Sequence, residues 1–490
     1  MDQLRDRGHR IAIAIAVAAV GVRLIQLTEP FIDPWSWRQS DVGAIARNFS
    51  EGGFHFAYPQ IDWAGNELGY VGTEFPLLPF AAALSYKFLG VHEWIGRLES
   101  VLFFAASLPF FYLLVRRIFD ESAALWGLFF YCVAPVCIVT SRAFMPDIPS
   151  LALSLAGLYF YLRWLEENKV RSLLCASLLI GVSLLTKLPS TTIGAPLLYL
   201  SWERRGIAIL RRPAFWCFGA IVLLPAVAWY WHAYRTAQTY YPHHFFGGGG
   251  LQIENPEWYG KILAQTVTST LTPLLSALAL AGFFLFDRRK YRHVFHWWLA
   301  AMILFICVVG WGNRHQWYQL PLVPIAAALA GRACSRLQTL FFTQPLRRIA
   351  FVMFIVISVS GLSFAYAGDY YVPVAASARD LGLELERKTA PTDLIIAADN
   401  GDPTVFYYAH RKGWHFLEEG IYEGNPWDSV QAIQNLEKLR NRGADCMVFD
   451  KSTMWWLDYY KEFAAHLSKT AKLVERNPQF IIYRLDPSKT

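Results

Sequence analysis

The sequence predicts a polytopic membrane protein, an all-α bundle of membrane-spanning helices with a small α/β domain at its C-terminal end. Of the 490 residues, 54% are hydrophobic and only 17% are charged. The mean hydropathy is +0.27, and this composition lies outside the usual balance of soluble domains. Apolar runs dominate residues 1–367, whereas residues 368–490 alternate short apolar segments with charged ones. We therefore expect a membrane domain followed by a soluble one.

About eleven apolar runs are candidates for membrane-spanning helices, which need roughly 17 to 25 residues each. They lie at residues 11–27, 98–115, 122–140, 148–164, 172–187, 189–202, 214–233, 264–286, 293–311, 317–333 and 349–367. The first run follows Arg5, Arg7 and Arg10 and shows no small-residue cleavage site. We therefore expect a retained anchor with a cytoplasmic N-terminus.

Basic residues fall on alternate loops between these runs, as the positive-inside rule predicts for cytoplasmic loops. The outer side then receives four loops and the C-terminal tail, at residues 28–97, 141–147, 234–263, 312–316 and 368–490. The net charge of +7 comes from short basic clusters and leaves no long basic face. No nucleic-acid partner is therefore expected, and the lipid bilayer is the predicted environment.

Two clusters that combine aspartate with arginine lie in these outer loops. The first is Asp33-Pro-Trp-Ser-Trp-Arg-Gln-Ser-Asp41, and the second is Ser141-Arg-Ala-Phe-Met-Pro-Asp147. Ionisable side chains at a membrane boundary are costly to hold, and they tend to mark a substrate path or a reaction centre. Residues 40–49 also have the pattern of a short amphipathic helix on the membrane surface, with Ser40 or Asp41 as its N-cap.

The tail has the pattern of a small α/β domain. Short apolar strands are predicted at residues 393–398, 445–449 and 479–484, and a helix is predicted at 427–442. The segment Asn400-Gly-Asp-Pro403 is typical of a strand-to-helix turn, so the tail shows no glycine-rich phosphate loop.

Six short motifs in order resemble the GT-C superfamily of integral-membrane glycosyltransferases. They are Trp37-Arg-Gln-Ser-Asp41, Thr73-Glu-Phe-Pro76, Gly96-Arg97-Leu, Ser141-Arg-Ala-Phe-Met-Pro-Asp147, Leu185-Thr-Lys187 and Trp317-Tyr-Gln-Leu-Pro-Leu-Val-Pro324. The resemblance is to the bacterial branch related to protein O-mannosyltransferases, aminoarabinose transferases and rhizobial lipopolysaccharide-core transferases. It covers roughly residues 10–335, and the tail contributes little to it.

The resemblance implies transfer of a hexose or pentose from a polyprenyl-phosphate-linked donor at the outer face of the bacterial inner membrane. The implied acceptor is a hydroxyl of a glycan lipid, of lipopolysaccharide or of a protein. It also implies an acidic base in the first outer loop, where Asp41 and Asp33 match. A carboxylate that removes the acceptor proton contributes about 10²- to 10⁴-fold to the rate, and a single displacement of this kind inverts the anomeric configuration. The structural alternatives are a helix N-cap for Asp41 and a turn former for Asp33.

Asp147 matches the second acidic position of the family, in the loop after the third run. It is expected to orient the acceptor or to bind a divalent ion that neutralises the phosphate, because hard cations favour carboxylate oxygens. The structural alternative is a salt bridge to Arg142. Glu74 is a further acidic candidate for binding substrate.

The leaving lipid phosphate needs positive charge as its bond to the sugar breaks. Predicted phosphate-binding residues are Arg142, Lys187, Arg314 and His315, with Tyr318 as a hydroxyl donor. Substrate-binding candidates in the first loop are Arg38 and Arg97. For all these basic residues the alternative is that the side chain only extends to the membrane interface.

The segment 240–250 combines His243 and His244 with aromatic residues and the glycines Gly247 to Gly250. The pattern indicates a lid that closes over the donor, with a plain flexible loop as the alternative.

Two other functions fit a polytopic chain: a transporter or flippase for lipid-linked sugars, whose charges should cluster at the midplane, and a sensor with an outer α/β domain. The location of the charges at one face favours the transferase.

Overall fold

The structure is a computed structural model, and it describes residues 2–246, 250–285, 289–418 and 424–487. Gly247–Gly249 of the predicted lid lie outside the described residues. Most of the described chain is helical, and the strands occur only in its C-terminal part. The predicted class, a helical bundle followed by a small α/β unit, is confirmed.

Fifteen α-helices of the described residues lie in the part predicted to be in the membrane. They are α1 (Asp2–Arg23), α2 (Ser36–Gly52), α3 (Leu77–Leu89), α4 (Glu93–Ile118), α5 (Glu121–Val133), α6 (Pro135–Thr140), α7 (Asp147–Glu167), α8 (Val170–Thr186), α9 (Gly194–Arg205), α10 (Pro213–Thr239), α11 (Pro256–Gln265), α12 (Pro273–Phe283), α13 (Val294–Val309), α14 (Leu322–Phe341) and α15 (Pro345–Gly368).

The described C-terminal part adds five helices and five strands. They are α16 (Ala376–Lys388), β1 (Leu394–Ala398), α17 (Thr404–Ala409), β2 (Gly413–His415), α18 (Ser429–Asn441), β3 (Ala444–Asp450), α19 (Trp456–Tyr459), α20 (Lys461–Thr470), β4 (Ala471–Arg476) and β5 (Phe480–Leu485).

Each predicted apolar run contains helix, but not every helix is long enough to cross a bilayer. Among the described residues, four segments pass by length and hydropathy: Glu93–Ile118, Asp147–Glu167, Pro213–Thr239 and Pro345–Lys388. The pair Pro256–Leu271 and Pro273–Phe283 would be a fifth, although the two parts are bent by 101° at their junction. The count of eleven spans therefore stays a prediction.

Prolines account for several of the helix breaks. α6 and α12 begin at Pro135 and Pro273, directly after the preceding helical segments, and Pro189 follows the end of α8. Proline lacks the N–H of the helical ladder, and it disfavours helical geometry in the residue before it. Apolar runs that look continuous in the sequence are therefore divided into shorter helices.

The helix predicted at residues 40–49 is present, but α2 is longer and begins at Ser36. The predicted N-cap is wrong, because Ser40 and Asp41 lie inside the helix and the residue at its N-terminus, Trp35, makes no side-chain cap. Nearly every side chain of α2 is buried. The helix packs between α3 and α17 instead of presenting one face to a membrane surface.

The five strands form one mixed sheet in the order β2-β1-β3-β5-β4. β1 pairs in parallel with both β2 and β3, whereas β5 pairs antiparallel with β3 and β4. The three predicted strands and the predicted helix are confirmed as β1, β3, β5 and α18, and the turn Asn400–Pro403 lies between β1 and α17. β2 and β4 lacked a sequence signal, because β2 has only three residues and β4 is largely exposed.

The sheet is joined to the first long loop by backbone hydrogen bonds. Gly65 N donates to Gly413 O at 2.6 Å, and Gly413 N donates to Asp62 O at 3.0 Å. Gly65 has φ +61°, and a Cβ there would lie within 2.0 Å of the Trp414 ring. Glycine at this position therefore permits both the left-handed backbone and the close approach to β2.

A close helix contact of the bundle, between α5 and α14, predicts a specific sensitivity to packing. A Cβ on Gly331 would lie 2.4 Å from Ala123 O and 2.7 Å from Gly127 N, so G331A must push the backbones apart. We expect a loss of about 2 kcal/mol, measured as a lower melting temperature of the detergent-solubilised protein. The matched control is G361A on α15, where a Cβ has no neighbour within 4 Å. Equal effects of the two substitutions would contradict the packing described here.

Candidate functional site

Four side chains of alternating charge form a buried row between the bundle and the first loop. The row runs Asp147, Lys187, Glu74, Arg38. Lys187 Nζ lies 3.5 Å from Asp147 Oδ1 and 3.1 Å from Glu74 Oε1. Arg38 Nη2 donates to both oxygens of Glu74, at 2.8 and 3.1 Å. None of the four residues is more than 7% exposed, so each charge is compensated by its neighbours instead of by water.

Helix ends and one backbone contact bring the row together. Asp147 is the first residue of α7, and Lys187 directly follows α8. Glu74 lies just before α3, and the neighbouring Phe75 N donates to Leu185 O at 3.0 Å. Arg38 lies in the first turn of α2. A single residue on each of four elements therefore supplies the row, which is why no continuous motif in the sequence contains it.

Glu74 is held in its ionised form. Burial alone would raise its pKa, but the charges of Arg38 and Lys187, together with hydrogen bonds, lower the pKa of Glu74 to about 2. One of these bonds comes from Thr73 Oγ1, 2.9 Å from Glu74 Oε2. Burial likewise opposes the charge on Arg38, yet Glu74 and Asp41 raise the pKa of Arg38 above its ordinary value. The pair therefore remains charged at physiological pH.

Two atoms of the row have no hydrogen-bond partner among the described residues, namely Arg38 Nη1 and Asp147 Oδ2. A buried charged group with an unused donor or acceptor is costly unless a ligand or water completes it. A small cavity lies against Asp147 and Lys187. A second small cavity lies against Glu74 and Lys187. Three residues of the row thus border small cavities.

Tyr318 belongs to the walls of both cavities and of a third small cavity, which also contacts Arg314. Lys187 Nζ lies 4.8 Å from the centre of the Tyr318 ring. Arg314 is exposed, and its guanidinium lies 5.4 Å from the centre of the Trp311 ring. Lys187 and Tyr318 therefore share one site, and Arg314 stands at its edge.

His315 is stacked on Trp317, with ring centres 4.4 Å apart, and its ring lies 5.3 Å from that of Trp37. Burial lowers its pKa to about 4, assisted by the positive charges of Arg314 and Lys187. The imidazole is therefore neutral at pH 7, and it offers one N–H donor and no permanent charge.

Asp41 lies one turn beyond Arg38 on α2 and is 3% exposed. Its Oδ1 accepts a hydrogen bond from the indole N–H of Trp63 at 3.0 Å. Burial raises the pKa of Asp41 to about 6, although Trp63, Arg38 and the imidazole of His415 all act in the opposite direction. Such a carboxylate is ionised at neutral pH and yet basic enough to accept a proton, which suits a general base.

Asp33 has a different environment, in which every lone pair is used. Its carboxylate accepts hydrogen bonds from Trp35 N at 2.9 Å and from Gln39 Nε2 at 2.9 and 3.0 Å. Arg97 Nη2 lies 3.2 Å from Asp33 Oδ2, and Arg142 Nη2 lies 3.8 Å from it. This arrangement fastens the start of the first loop to α4 and to the turn after α6.

Arg97 and Arg142 consequently lie with Asp33 and not beside Lys187. Arg97 also donates to the carbonyls of Gln26 and Pro30, at 3.2 and 3.1 Å, and Arg142 donates to Gln26 O at 3.2 Å. The alternative pairing of Arg142 with Asp147 does not occur, because Lys187 is the partner that lies against Asp147.

The described part of the segment 240–250 is fastened to the first loop. Gly72 N donates to His244 O at 3.0 Å, and Phe246 N donates to Gly72 O at 2.8 Å. His243 is exposed, and its Nδ1 lies 3.2 Å from Ala237 O. Burial and the charges of Arg38 and His415 lower the pKa of His244 to about 4. The two histidines therefore point to different surroundings, and only His244 lies near the row.

A divalent metal ion was a sequence-based option for Asp147. Within the described ranges, no three His, Cys, Asp or Glu side chains gather closely enough to hold a metal ion. Asp147 is instead adjacent to the ammonium group of Lys187. Among the described residues, Lys187 is thus the cation next to Asp147.

Two sequence comparisons with known proteins match parts of the chain. A family model described as dolichyl-phosphate-mannose-protein mannosyltransferase matches residues 73–231, a range that contains Glu74, Asp147 and Lys187. The curated protein YkcB of Bacillus subtilis (strain 168), a candidate mannosyltransferase, is 22% identical over 214 residues. That match covers 42% of this chain and 29% of the relative, so the chain spans less than a third of the curated relative's length.

Solved structures match the chain almost from end to end. ArnT from Cupriavidus metallidurans bound to undecaprenyl phosphate has a TM-score of 0.65 at 15% identity, covering 96% of this chain and 97% of that one. The oligosaccharyltransferase of Archaeoglobus fulgidus, tethered with an acceptor peptide, also has a TM-score of 0.65, at 12% identity, with 97% and 74% covered. The chain has the GT-C fold. The resemblance to the GT-C superfamily is thus confirmed at the level of the fold.

Several residues of the candidate site had no signal in the sequence. Trp63 contacts Asp41 from a separate part of the first loop, and His415 approaches from the C-terminal sheet. Gln39 and Thr73 belong to the motifs Trp37–Asp41 and Thr73–Pro76. Only the structure shows that they donate hydrogen bonds to Asp33 and Glu74. Spacing along the chain does not predict such contacts, since they join distant segments.

The two aspartates of the first loop should respond oppositely to neutralisation. The pKa of Asp41 rises from its ordinary value of 3.8 to about 6 on folding, so the folded state binds this proton more tightly. Ionisation of Asp41 therefore leaves the free energy of unfolding unchanged below pH 3.8, and it lowers that free energy by up to about 3 kcal/mol above pH 6. We expect D41N to raise the melting temperature at pH 8, with most of the gain lost at pH 4.

D33N is the matched comparison, and it should lower the melting temperature at pH 8 by the equivalent of about 3 kcal/mol, because it breaks a buried ion pair. Thermal unfolding of the purified variants at both pH values measures the two effects. A D41N variant that is less stable than the wild type at every pH would assign Asp41 a structural role.

Proposed function

We propose that this protein is an inverting glycosyltransferase that moves a sugar from a polyprenyl-phosphate-linked donor to an acceptor hydroxyl. The row Asp147–Lys187–Glu74–Arg38 carries this proposal, because the ammonium group of Lys187 and the unused Nη1 of Arg38 can donate hydrogen bonds to the oxygens of a departing phosphate. Two proteins of similar structure have been solved with a lipid phosphate. ArnT is bound to undecaprenyl phosphate, and the archaeal oligosaccharyltransferase is in complex with a dolichol-phosphate. These ligands support a lipid phosphate as the donor's leaving group here.

In the proposed reaction, the acceptor oxygen attacks the anomeric carbon of the sugar as Asp41 removes its proton. The new bond joins the acceptor oxygen to the anomeric carbon, and the bond from that carbon to the phosphate oxygen breaks. The lipid phosphate leaves with the bonding electron pair, and its charge is stabilised by Lys187 and by the unused Nη1 of Arg38. Tyr318 adds a hydroxyl donor to the same cavities.

Asp41 is the preferred base over Asp33 for two reasons. Asp33 is engaged by Gln39, Arg97 and Arg142, and these contacts would have to break before it could accept a proton. Asp41 has one described side-chain hydrogen bond, from Trp63, and a pKa of about 6. We assign Asp33, Arg97 and Arg142 to holding the first loop, and Asp41 to proton transfer.

The proposed setting is the outer face of a bacterial inner membrane, with about eleven spans, a cytoplasmic N-terminus and residues 368–490 as a periplasmic domain. It rests on the alternation of basic loops along the sequence. The acceptor is a hydroxyl of a glycan lipid, of lipopolysaccharide or of a protein, and the sugar is a hexose or a pentose. Purified protein in vesicles with a panel of polyprenyl-phosphate sugars and envelope extracts tests the reaction by mass spectrometry of the products.

Neutralising Asp41 should abolish sugar transfer without unfolding the protein. We expect D41N to lower the rate by about 10²- to 10⁴-fold, because the acceptor loses its base, while binding of undecaprenyl phosphate persists. E51Q, an exposed acid-to-amide change on the same helix, is the control and should retain the wild-type rate. Full activity of D41N would remove Asp41 as the base. Movement of lipid-linked sugar across vesicles without any glycosidic product would favour a transporter.

Removing the charge of Lys187 should weaken binding of the lipid phosphate. A hydrogen bond to a charged group contributes about 1.5–3 kcal/mol, so we expect K187Q to raise the Kd for undecaprenyl phosphate by about tenfold or more. K187R, which keeps the charge, should bind more tightly than K187Q. K169Q changes a lysine whose side chain is 65% exposed, and it should bind as the wild type does. An unchanged Kd in K187Q would exclude Lys187 from the phosphate site.

A further inference from the structure

The C-terminal sheet places a buried histidine–aspartate pair against the first loop. Asp399 directly follows β1, and His415 ends β2. Because the two strands are parallel, these ends meet at the same edge of the sheet, where His415 lies opposite Ala397. His415 Nδ1 is 2.8 and 2.9 Å from the two oxygens of Asp399, and both side chains are at most 2% exposed.

The pair faces Asp41 across a single indole ring. Trp63 lies with its ring centre 5.1 Å from that of His415, while its N–H donates to Asp41 Oδ1 at 3.0 Å. Next to it, Ser40 Oγ lies 3.2 Å from Thr404 Oγ1 of α17. A chain of direct contacts thus leads from Asp399 through His415 and Trp63 to Asp41.

The position of the histidine is fixed from both sides. The backbone bonds of Gly413 to Asp62 and Gly65 hold β2 against the first loop, two residues before His415. Arg47 of α2 donates to Tyr407 O of α17 at 2.7 Å, which holds the helix to the same domain. Displacement of His415 relative to Asp41 would require these bonds to break.

The charged and titratable groups around the pair come from four elements. On the sheet side they are Asp399, Asp402 and Asp450; on α2 they are Arg38 and Asp41; the first loop adds Asp62, and the segment 240–246 adds His244. His244 has a pKa of about 4 and is neutral at pH 7. His415 and Arg38 therefore face Asp41 amid several carboxylates.

We propose that Asp399 and His415 are positioning residues for Asp41, so that the C-terminal domain completes the transferase site. This inference rests on the proposed function, in which Asp41 is the base. Asp399 orients the imidazole and compensates the charge that it carries when protonated, as a carboxylate does for a catalytic histidine. His415 in turn holds Trp63 against Asp41 and favours the ionised carboxylate, which is the form that can accept a proton from the acceptor.

A substrate-free titration tests the electrostatic step. Infrared spectra of the full-length purified protein are recorded against pH, and D41N identifies the band of the protonated Asp41 carboxyl. H415Q should raise the apparent pKa of Asp41 by about one pH unit, because glutamine no longer holds the indole that donates to the ionised Asp41 carboxylate. D399N/H415Q should shift it less than H415Q does, since the uncompensated Asp399 carboxylate is removed as well.

H466Q is the matched control in the same domain, because His466 pairs with Glu437 on the neighbouring helix α18. It should leave the titration of Asp41 unchanged. The thermal unfolding of each variant shows whether it is folded. D399N serves as the second variant if H415Q is unfolded, and it too should shift the pKa of Asp41, because His415 loses the carboxylate that orients it. An unchanged titration of Asp41 in folded H415Q, or in folded D399N, would overturn the proposal.

The pH dependence of transfer separates this inference from the proposed function. If transfer is found, its acidic limb should move upward in H415Q by the same amount as the titration, whereas a purely structural role would lower the rate equally at every pH. A limb that does not move while the titration does would overturn the positioning role. If no donor yields product with the wild type, the proposed function fails, and the titration alone still reports whether the pair controls Asp41.

Discussion

The buried row of four charges holds the structure together. Its members are Asp147, Lys187, Glu74 and Arg38, and each has an oppositely charged neighbour in place of water. Removing an ion from water costs several kcal/mol in proteins, and this cost is recovered only by close, well-oriented partners. The distances of 2.8 to 3.5 Å along the row meet that condition. Four elements must therefore keep their relative positions, since a shift of any one would leave a buried charge unpaired. They are the N-terminal end of α7, the C-terminal end of α8, the chain before α3 and the first turn of α2.

The row also explains why the first loop is so deeply buried. Glu74 and Arg38 both belong to it, so the loop is tied to the bundle through their bonds to each other and to Lys187. On its other side the loop bonds to β2 and α17 of the C-terminal sheet. The first loop is thus a layer between the two parts of the chain, and Asp41 lies within that layer.

Hydropathy predicted where helices occur, because apolar surface must be buried in lipid or in protein along the whole length of a helix. Hydropathy did not predict where the helices break. Prolines interrupt the helical hydrogen bonds at these breaks, and residues there, such as Lys187, can turn towards the site. The acid and arginine clusters were correctly identified as unusual, but their partners were not predictable. Asp33 pairs with Arg97, which lies 64 residues away along the chain, and Asp147 pairs with Lys187. Such pairings are not predictable from the sequence, because the fold determines which charged residues become neighbours.

The tail shows the same limit more clearly. Its apolar strands were predictable from alternation and turn residues, whereas His415 gave no signal, because a lone histidine in a three-residue strand resembles any buried polar residue. Its relation to Asp41 arises from a contact across 352 residues of sequence by way of Trp63. Long-range contacts of this kind require the tertiary structure.

The most direct measurement is an experimental structure of the protein in lipid nanodiscs with undecaprenyl phosphate. The central claim predicts the phosphate within hydrogen-bond distance of Lys187 Nζ and Arg38 Nη1, in the cavities beside Tyr318, with Asp41 facing the same space. A phosphate bound elsewhere on the protein, with Lys187 and Arg38 unchanged and without contact to it, would contradict the claim.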